Sequence, residues 1–254
     1  MRWPAEAIWE AVAPLLPGFT VEVLPQLDST NTELMRRART GQADPVLLVA
    51  EQQTAGRGRL GRAWQSSAGD SLTFSLGLPL APADWSGLSL AVGVSVAESL
   101  HPDIVLKWPN DLWLGDRKLA GILIETASFG EGAAGARYAV IGVGVNIAPR
   151  PATGLSTRPA ALRELLPQAD APAVLERVAR RLVQDVQRFG AHGFAAFQQR
   201  FEQRDALRNR AVQLSDGTTG TAQGVDAGGS LLVHTAAGPQ TISSSEVSVR
   251  PAAA

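Results

Sequence analysis

Alternation of Val21 and Val23 with polar neighbours in TVEVLPQL predicts a strand over 20–27, and Trp3, Ile8, Trp9 and Val12 ahead of it mark a short helix at 3–13. In DSTNTELMRRA, Ser29 or Thr30 can cap a helix whose apolar face carries Leu34, Met35 and Ala38, and Thr30 precedes Glu33 at capping-box spacing. The apolar runs PVLLVAEQ and SLTFSLGLPL predict two buried strands on either side of a glycine- and arginine-rich loop. SGLSLAVGVSVAESL is apolar or small nearly all round, as in a helix covered on every side. Four further strands are predicted in IVLKW, DLWL, KLAGILIE and RYAVIGVGVNI, with a turn at LGDRK, so the sheet has hairpins and is not a strictly alternating βαβ series. Beyond Pro149 helical patterns run at 159–166 and 173–204, and from Asn209 short β-type runs separated by glycine turns predict a small β-barrel. The fold class is therefore α/β (α+β): a mixed sheet with packed helices, then a small barrel.

At 254 residues with 45% apolar content, the chain suits one large domain or a main domain with a small one. No cysteine is present, which excludes disulfides, thiolate metal sites and a cysteine nucleophile. Glu6 and Glu10 interrupt the N-terminal segment where a signal peptide needs an apolar stretch, and no run is long enough to span a bilayer, so a cytoplasmic protein without a membrane partner is expected. A formal net charge of −1 makes the cluster Arg57, Arg59 and Arg62 a local feature and argues against sequence-independent nucleic-acid binding.

That cluster lies in AEQQTAGRGRLGRAW, where Gly56, Gly58 and Gly61 alternate with the arginines. Glycines let backbone approach a ligand closely, and guanidinium groups match carboxylate or phosphate oxygens, so the loop is built for a small anion. It is not a Walker A loop, because no Gly-Lys-Ser/Thr follows. Without ligand the segment from Thr54 to Trp64 is expected to be mobile, with its charges solvated and its backbone unpaired. In LKWPNDLWLGDRKLAGILIE, Lys107, Asn110 and Asp111 flank a chain reversal at Pro109, and Lys118 opens a strand on which Gly121 leaves room. None of the three histidines falls in these motifs, so a histidine base has no support.

LDSTN at 27–31, QQTAGRGRLGRAW at 52–64, KWPNDL at 107–112, RKLAGILIE at 117–125 and IGVGVNI at 141–147 occur in that order, and together the chain resembles the biotin protein ligases. The resemblance implies a ligase that activates biotin with ATP to biotinoyl-5′-adenylate and passes it to a lysine of a biotin carboxyl carrier protein or domain of an acyl-CoA carboxylase. By the same resemblance Ser29, Thr30, Asn31 and Gln53 would bind the biotin rings, Gly56, Arg57, Gly58 and Arg59 would cover the carboxylate and phosphate, Lys118 would reach the same oxygens, and Gly121 would let the ring pack on the strand. Arg59, Trp64, Asn110, Asp111, Asn146 and Arg250 would serve the nucleotide, with Lys118 and Arg59 catalytic. Mg²⁺ would arrive with ATP, Asp111 being the one protein carboxylate nominated beside it. The division implied is a catalytic unit at 1–207 and an SH3-like β-barrel at 208–254, in a monomer or weak homodimer.

Two positions depart from the family pattern: Asp70-Ser71 stands where an asparagine is common, and Ser245 stands before Glu246 where a glycine is usual. About twenty residues precede the first core strand, too few for the winged helix of repressor members, so a monofunctional ligase without a DNA partner is expected. Lipoate ligases and octanoyl transferases are the alternative within the fold, although KWPND argues against them and those using a cysteine nucleophile are excluded. A nucleic-acid-binding protein is the alternative of another class.

Overall fold

The computed structural model describes residues 1–128, 136–152, 157–243 and 249–251. The departure at Ser245 and the C-terminal Ala252–Ala254 lie outside them.

After α1 (Ala5–Val12), a seven-stranded sheet forms in the order β1-β2-β3-β7-β6-β5-β4 from β1 (Thr20–Leu27), β2 (Val46–Gln53), β3 (Ser71–Leu80), β4 (Val105–Lys107), β5 (Asp111–Leu114), β6 (Arg117–Ser128) and β7 (Arg137–Asn146). Only β1 and β2 pair in parallel, joined through α2 (Thr30–Arg39); the other neighbours are antiparallel. Each strand divides its side chains between two faces. Leu72, Phe74 and Leu76 of β3 and Ile141, Val143 and Val145 of β7 join the main core with α3 (Leu88–Leu100) and α4 (Ala171–His192). Each large apolar side chain fully buried there stabilises the fold by about 1.5–3 kcal/mol.

The opposite face is only half covered. Leu34 and Met35 of α2 pack there on Val46, Leu48, Tyr138 and Val140. Beyond them the alternation turns polar or small, with Thr73 and Ser75 opposite Gly144 and Gly142. One row of register partners crosses five strands as Thr73, Gly144, Gly121, Asp111 and Lys107. This uncovered row is where the site forms.

Of the two residues offered as cap for α2, Ser29 serves, its Oγ accepting from Thr32 N at 3.4 Å. Three local expectations are corrected. No capping box forms, because the Glu33 carboxylate pairs with Arg36 and Arg37. The 159–166 pattern yields only a 3-10 turn at Leu162–Glu164, and the 173–204 helix breaks where Gly193 takes φ 64°, leaving α4, a 3-10 turn and α5 (Gln198–Glu202). Arg200 braces this bend with ion pairs of 2.9 Å to both Glu98 and Asp185.

β8 (Ala211–Leu214), β9 (Thr219–Val225), β10 (Leu231–Thr235), β11 (Gly238–Ile242) and β12 (Val249–Pro251) form an antiparallel sheet in the order β11-β10-β9-β8-β12. Among the described residues no ladder joins the edge strands β11 and β12, so the small all-β unit stands as an open sheet and not a closed barrel. It meets the larger sheet at the fully buried Trp108, whose Nε1 donates to Gly229 O at 3.0 Å.

Candidate active site

A cavity of about 170 Å³ opens over the uncovered row, walled by α2, β6, the KWPND turn and the arginine loop. Of the residues singled out from the sequence, Ser29, Thr30, Asn31, Gln53, Arg57, Gly58, Arg59, Trp64, Asn110, Asp111, Lys118 and Gly121 line it.

At one end the polar groups are tied into a chain. Thr30 donates its N–H (2.8 Å) and its hydroxyl (3.2 Å) to Gln53 Oε1, and Ser75 Oγ lies 2.7 Å from Thr30 Oγ1. Ser75 Oγ is also 2.6 Å from Asn31 Oδ1, and Asn31 Nδ2 donates to Leu123 O at 3.1 Å and Glu125 Oε2 at 2.9 Å. Gly142 makes this possible, since a β-carbon there would overlap the Asn31 carboxamide. The arrangement fixes amide and hydroxyl groups at the cavity wall, as recognition of a polar group requires.

At the other end the groups are charged. Lys118 Nζ sits 2.6 Å from Asp111 Oδ1 and 6.0 Å from the centroid of the Trp64 ring. Trp64 lies on Gly144, where a β-carbon would overlap its indole, and the Arg150 guanidinium stands 5.3 Å from the ring centroid. Burial pushes the Arg59 and Arg150 guanidinium groups below their ordinary range, with Asp111 acting in the opposite sense on Arg59.

Three expected residues are not on the wall. Asn146 is buried beneath it, its Nδ2 spent on Lys118 O (3.1 Å) and Ala160 O (3.0 Å), so it holds the lysine's backbone and does not face the cavity. Gly56 sits at the base of the loop and does not line the cavity; a β-carbon there would come within 2.5 Å of Trp64 O. Arg250 is exposed on β12, opposite Gln213 in the C-terminal sheet. Asp70 and Ser71 fit their departure from the pattern locally, with Asp70 O accepting from Ile147 N and Ala148 N and Ser71 Oγ bonding Ser67. Lys107, Arg62 and Arg150 line the cavity but were not among the expected site residues.

The arginine loop is also not the open, unpaired segment expected. Gly58 N donates to Arg62 O at 2.7 Å and Trp64 N to Gly56 O at 2.8 Å, closing a small hairpin that carries Leu60 at its tip with φ 56°. Arg57 reaches across to Glu125, with Nη2 at 3.0 and 2.9 Å from its two oxygens, and to Thr32 Oγ1 at 3.1 Å. Glu125 thus ties the loop to β6 while holding Asn31. An ion pair this exposed is worth about 0.2–1 kcal/mol. Glu125→Gln is therefore expected to raise tryptic cleavage between Arg57 and Arg62 about two- to fivefold in the ligand-free protein. An unchanged cleavage rate in that segment would show that the pair does not hold the loop.

Sequence and fold also match those of known proteins. The profile of the Biotin/lipoate A/B protein ligase family matches residues 23–146, and that of the Biotin protein ligase C terminal domain matches residues 209–250. The bifunctional ligase/repressor BirA of Escherichia coli is 38% identical over 234 residues, covering 86% of this chain and 70% of that one. The biotin–[acetyl-CoA-carboxylase] ligase of Paracoccus denitrificans is 31% identical over 240 residues, covering 89% and 98%. Among solved structures, the Aquifex aeolicus biotin protein ligase in complex with biotin and ATP superposes with a TM-score of 0.76 at 30% identity, over 91% of this chain and 99% of that one. The chain belongs to the biotin protein ligase family, and it is an enzyme of the ligase class. Among the described residues no helix is long and apolar enough to cross a membrane.

Proposed function

We propose that this ligase works in two steps at the one cavity. Biotin enters with its ring system against Ser29, Thr30, Asn31 and Gln53, and its carboxylate oxygen attacks the α-phosphate of ATP. The new P–O bond forms as the bond to pyrophosphate breaks, giving biotinoyl-5′-adenylate. The amine of a lysine on a biotin carboxyl carrier protein or domain of an acyl-CoA carboxylase then attacks the biotinoyl carbonyl. AMP leaves with the bonding electron pair and the amine loses a proton to solvent.

Both steps crowd anionic oxygens together, and fixed donors aimed at that charge are the chief aid a protein can give. Lys118 and Arg59 hold this role, with the backbone of Gly58 and the side chain of Arg57 closing over the anion. Gly121 leaves room for the ring, Trp64 offers its face to adenine, and Asn110 and Asp111 stand beside the phosphates. Among the described residues no three His, Cys, Asp or Glu side chains are grouped to hold a metal, and Asp111 is engaged by Lys118. Mg²⁺ would arrive with ATP, held mainly by phosphate oxygens and water, with Asp111 the one protein carboxylate beside it.

The observation that carries the proposal is the pairing within one cavity of a neutral hydrogen-bonding end with a cationic end. Residues 1–207 form the catalytic unit in this reading and 208–254 the accessory one, in a cytoplasmic monomer or weak homodimer with no DNA or membrane partner. Incubation with biotin, ATP, Mg²⁺ and a biotin-carrier domain is expected to add one biotinoyl mass to the carrier, with none added when biotin or ATP is omitted. Transfer of lipoate in place of biotin, or no transfer to the carrier, would overturn the assignment.

A further inference from the structure

α1 and α4 pack side by side, on the face of the sheet away from the cavity. Ile8 and Val12 of α1 join the main core with the apolar side of α4, and Gln187 of α4 donates to Leu15 O just beyond α1 at 2.6 Å. The outward sides of the two helices carry opposite charge. Glu6 and Glu10, four residues apart, stand with Trp9 on the exposed side of α1, and Arg177, Arg180 and Arg188 recur on the exposed side of α4. Like charges three or four residues apart repel along a helix, where an acid and a base at the same spacing would attract, so each helix carries the arrangement that helps it least. The two helices do not neutralise each other either. Among the described residues none of these five charged side chains has an ion pair or a hydrogen bond, whereas the neighbouring Arg181 is paired with Glu98.

Trp9 is 49% exposed, one of the few large apolar side chains left open to water, and its ring is already fixed by Nε1 donating to Phe19 O at 3.1 Å. An aromatic held in one orientation loses little freedom when another surface covers it, and tryptophan with arginine is the composition of interface centres. We infer that this surface is an interface between two copies of the chain, α1 of each packing on α4 of the other. The spacings suit it: Glu6 to Glu10 rises about 6 Å along its helix and Arg177 to Arg180 about 4.5 Å along its own, so the two acids of one copy can meet the two arginines of the next. Because α1 and α4 lie side by side, one two-fold axis makes both contacts at once, and such a contact closes at two subunits. A surface that carries both signs and a tryptophan complements itself, while its acids would repel a nucleic acid or an anionic membrane. The cavity stays open on the opposite face, so the interface goes beyond the proposed reaction and does not depend on it.

The test is sedimentation equilibrium of the full chain. An eight-residue helix on each side makes a small interface, so a monomer–dimer equilibrium with a dissociation constant on the order of 100 µM is expected at low salt. It should weaken about tenfold or more between about 0.05 and 0.5 M NaCl, as the charges are screened. Glu6→Arg with Glu10→Arg makes both helix surfaces basic, and Arg177→Glu with Arg180→Glu makes both acidic. Each double variant alone should lose the dimer. An equimolar mixture of the two should regain it as a heterodimer, since the basic α1 of one then meets the acidic α4 of the other while the remaining pair keeps its native signs.

The exchanged positions are exposed, so the fold should bear the changes. The wild-type titration decides even if a variant does not fold: no self-association at about 1 mM in low salt, or association indifferent to salt, would overturn the inference. So would a dimer that persists unweakened in Trp9→Ser or in either double variant, which would place the contact on another face, and so would a mixture of the two double variants that stays monomeric.

Discussion

Replacing Lys118 by alanine is expected to slow biotinoyl-adenylate formation about 10²- to 10³-fold, the loss typical when one preorganised donor to a developing anion is removed. The fold should survive, because Lys118 is a partly exposed residue near the start of β6 whose backbone bonds to Arg158 O and from Ala160 N remain. Alanine frees Asp111 from its 2.6 Å ion pair and leaves its negative charge less compensated at the place where anions must gather, so both binding and chemistry suffer. The measurement is single-turnover release of pyrophosphate at saturating biotin and ATP. A folded Lys118→Ala protein with the wild-type rate would remove this lysine from the reaction.

Gly142→Ala should be as damaging, although it adds only one carbon. The new β-carbon would overlap Asn31 Oδ1, and Asn31 cannot retreat without abandoning Ser75, Leu123 O and Glu125. Each buried polar group left unpaired costs about 1–3 kcal/mol, so a stability loss of roughly 2–4 kcal/mol is expected. Biotin affinity should fall by about 10²-fold or more on the same accounting. A double-mutant cycle with Asn31→Ala checks the cause: in that background, where the obstructing carboxamide is gone, Gly142→Ala should add little. Full additivity would mean that the glycine matters for some other reason.

Much of this architecture was legible because local patterning and tertiary demand agree. β1, β3 and β5 fall where their alternation or apolar runs placed them, and the motifs that carry the family resemblance converge on one cavity. What escaped reading was settled by long-range contacts. Glu125 looks like an ordinary strand-end acid until β6 brings it to Arg57, 68 residues away in sequence. Arg150 gives no signal in APRP, and only the chain's path beyond β7 lays it near Trp64. The pattern Ser71, Thr73, Ser75 in β3 did carry a signal, since an apolar-polar alternation in a strand otherwise buried on both faces marks a polar pocket. The helix expected to 204 ends at Gly193, whose φ of 64° turns the chain so that α5 also meets α3.

The sheet contributes to this pocket chiefly by what it leaves out. Gly121, Gly142 and Gly144 are already the smallest residues available, so no substitution at those positions can deepen the floor, and every substitution makes it shallower. Divergence toward a bulkier ligand is therefore closed at these three positions and must come from other parts of the wall, Trp64 and the loop that carries it among them. Divergence toward a smaller one is open to single changes in the floor. The route by which such a scaffold acquires new specificity is thus one-sided.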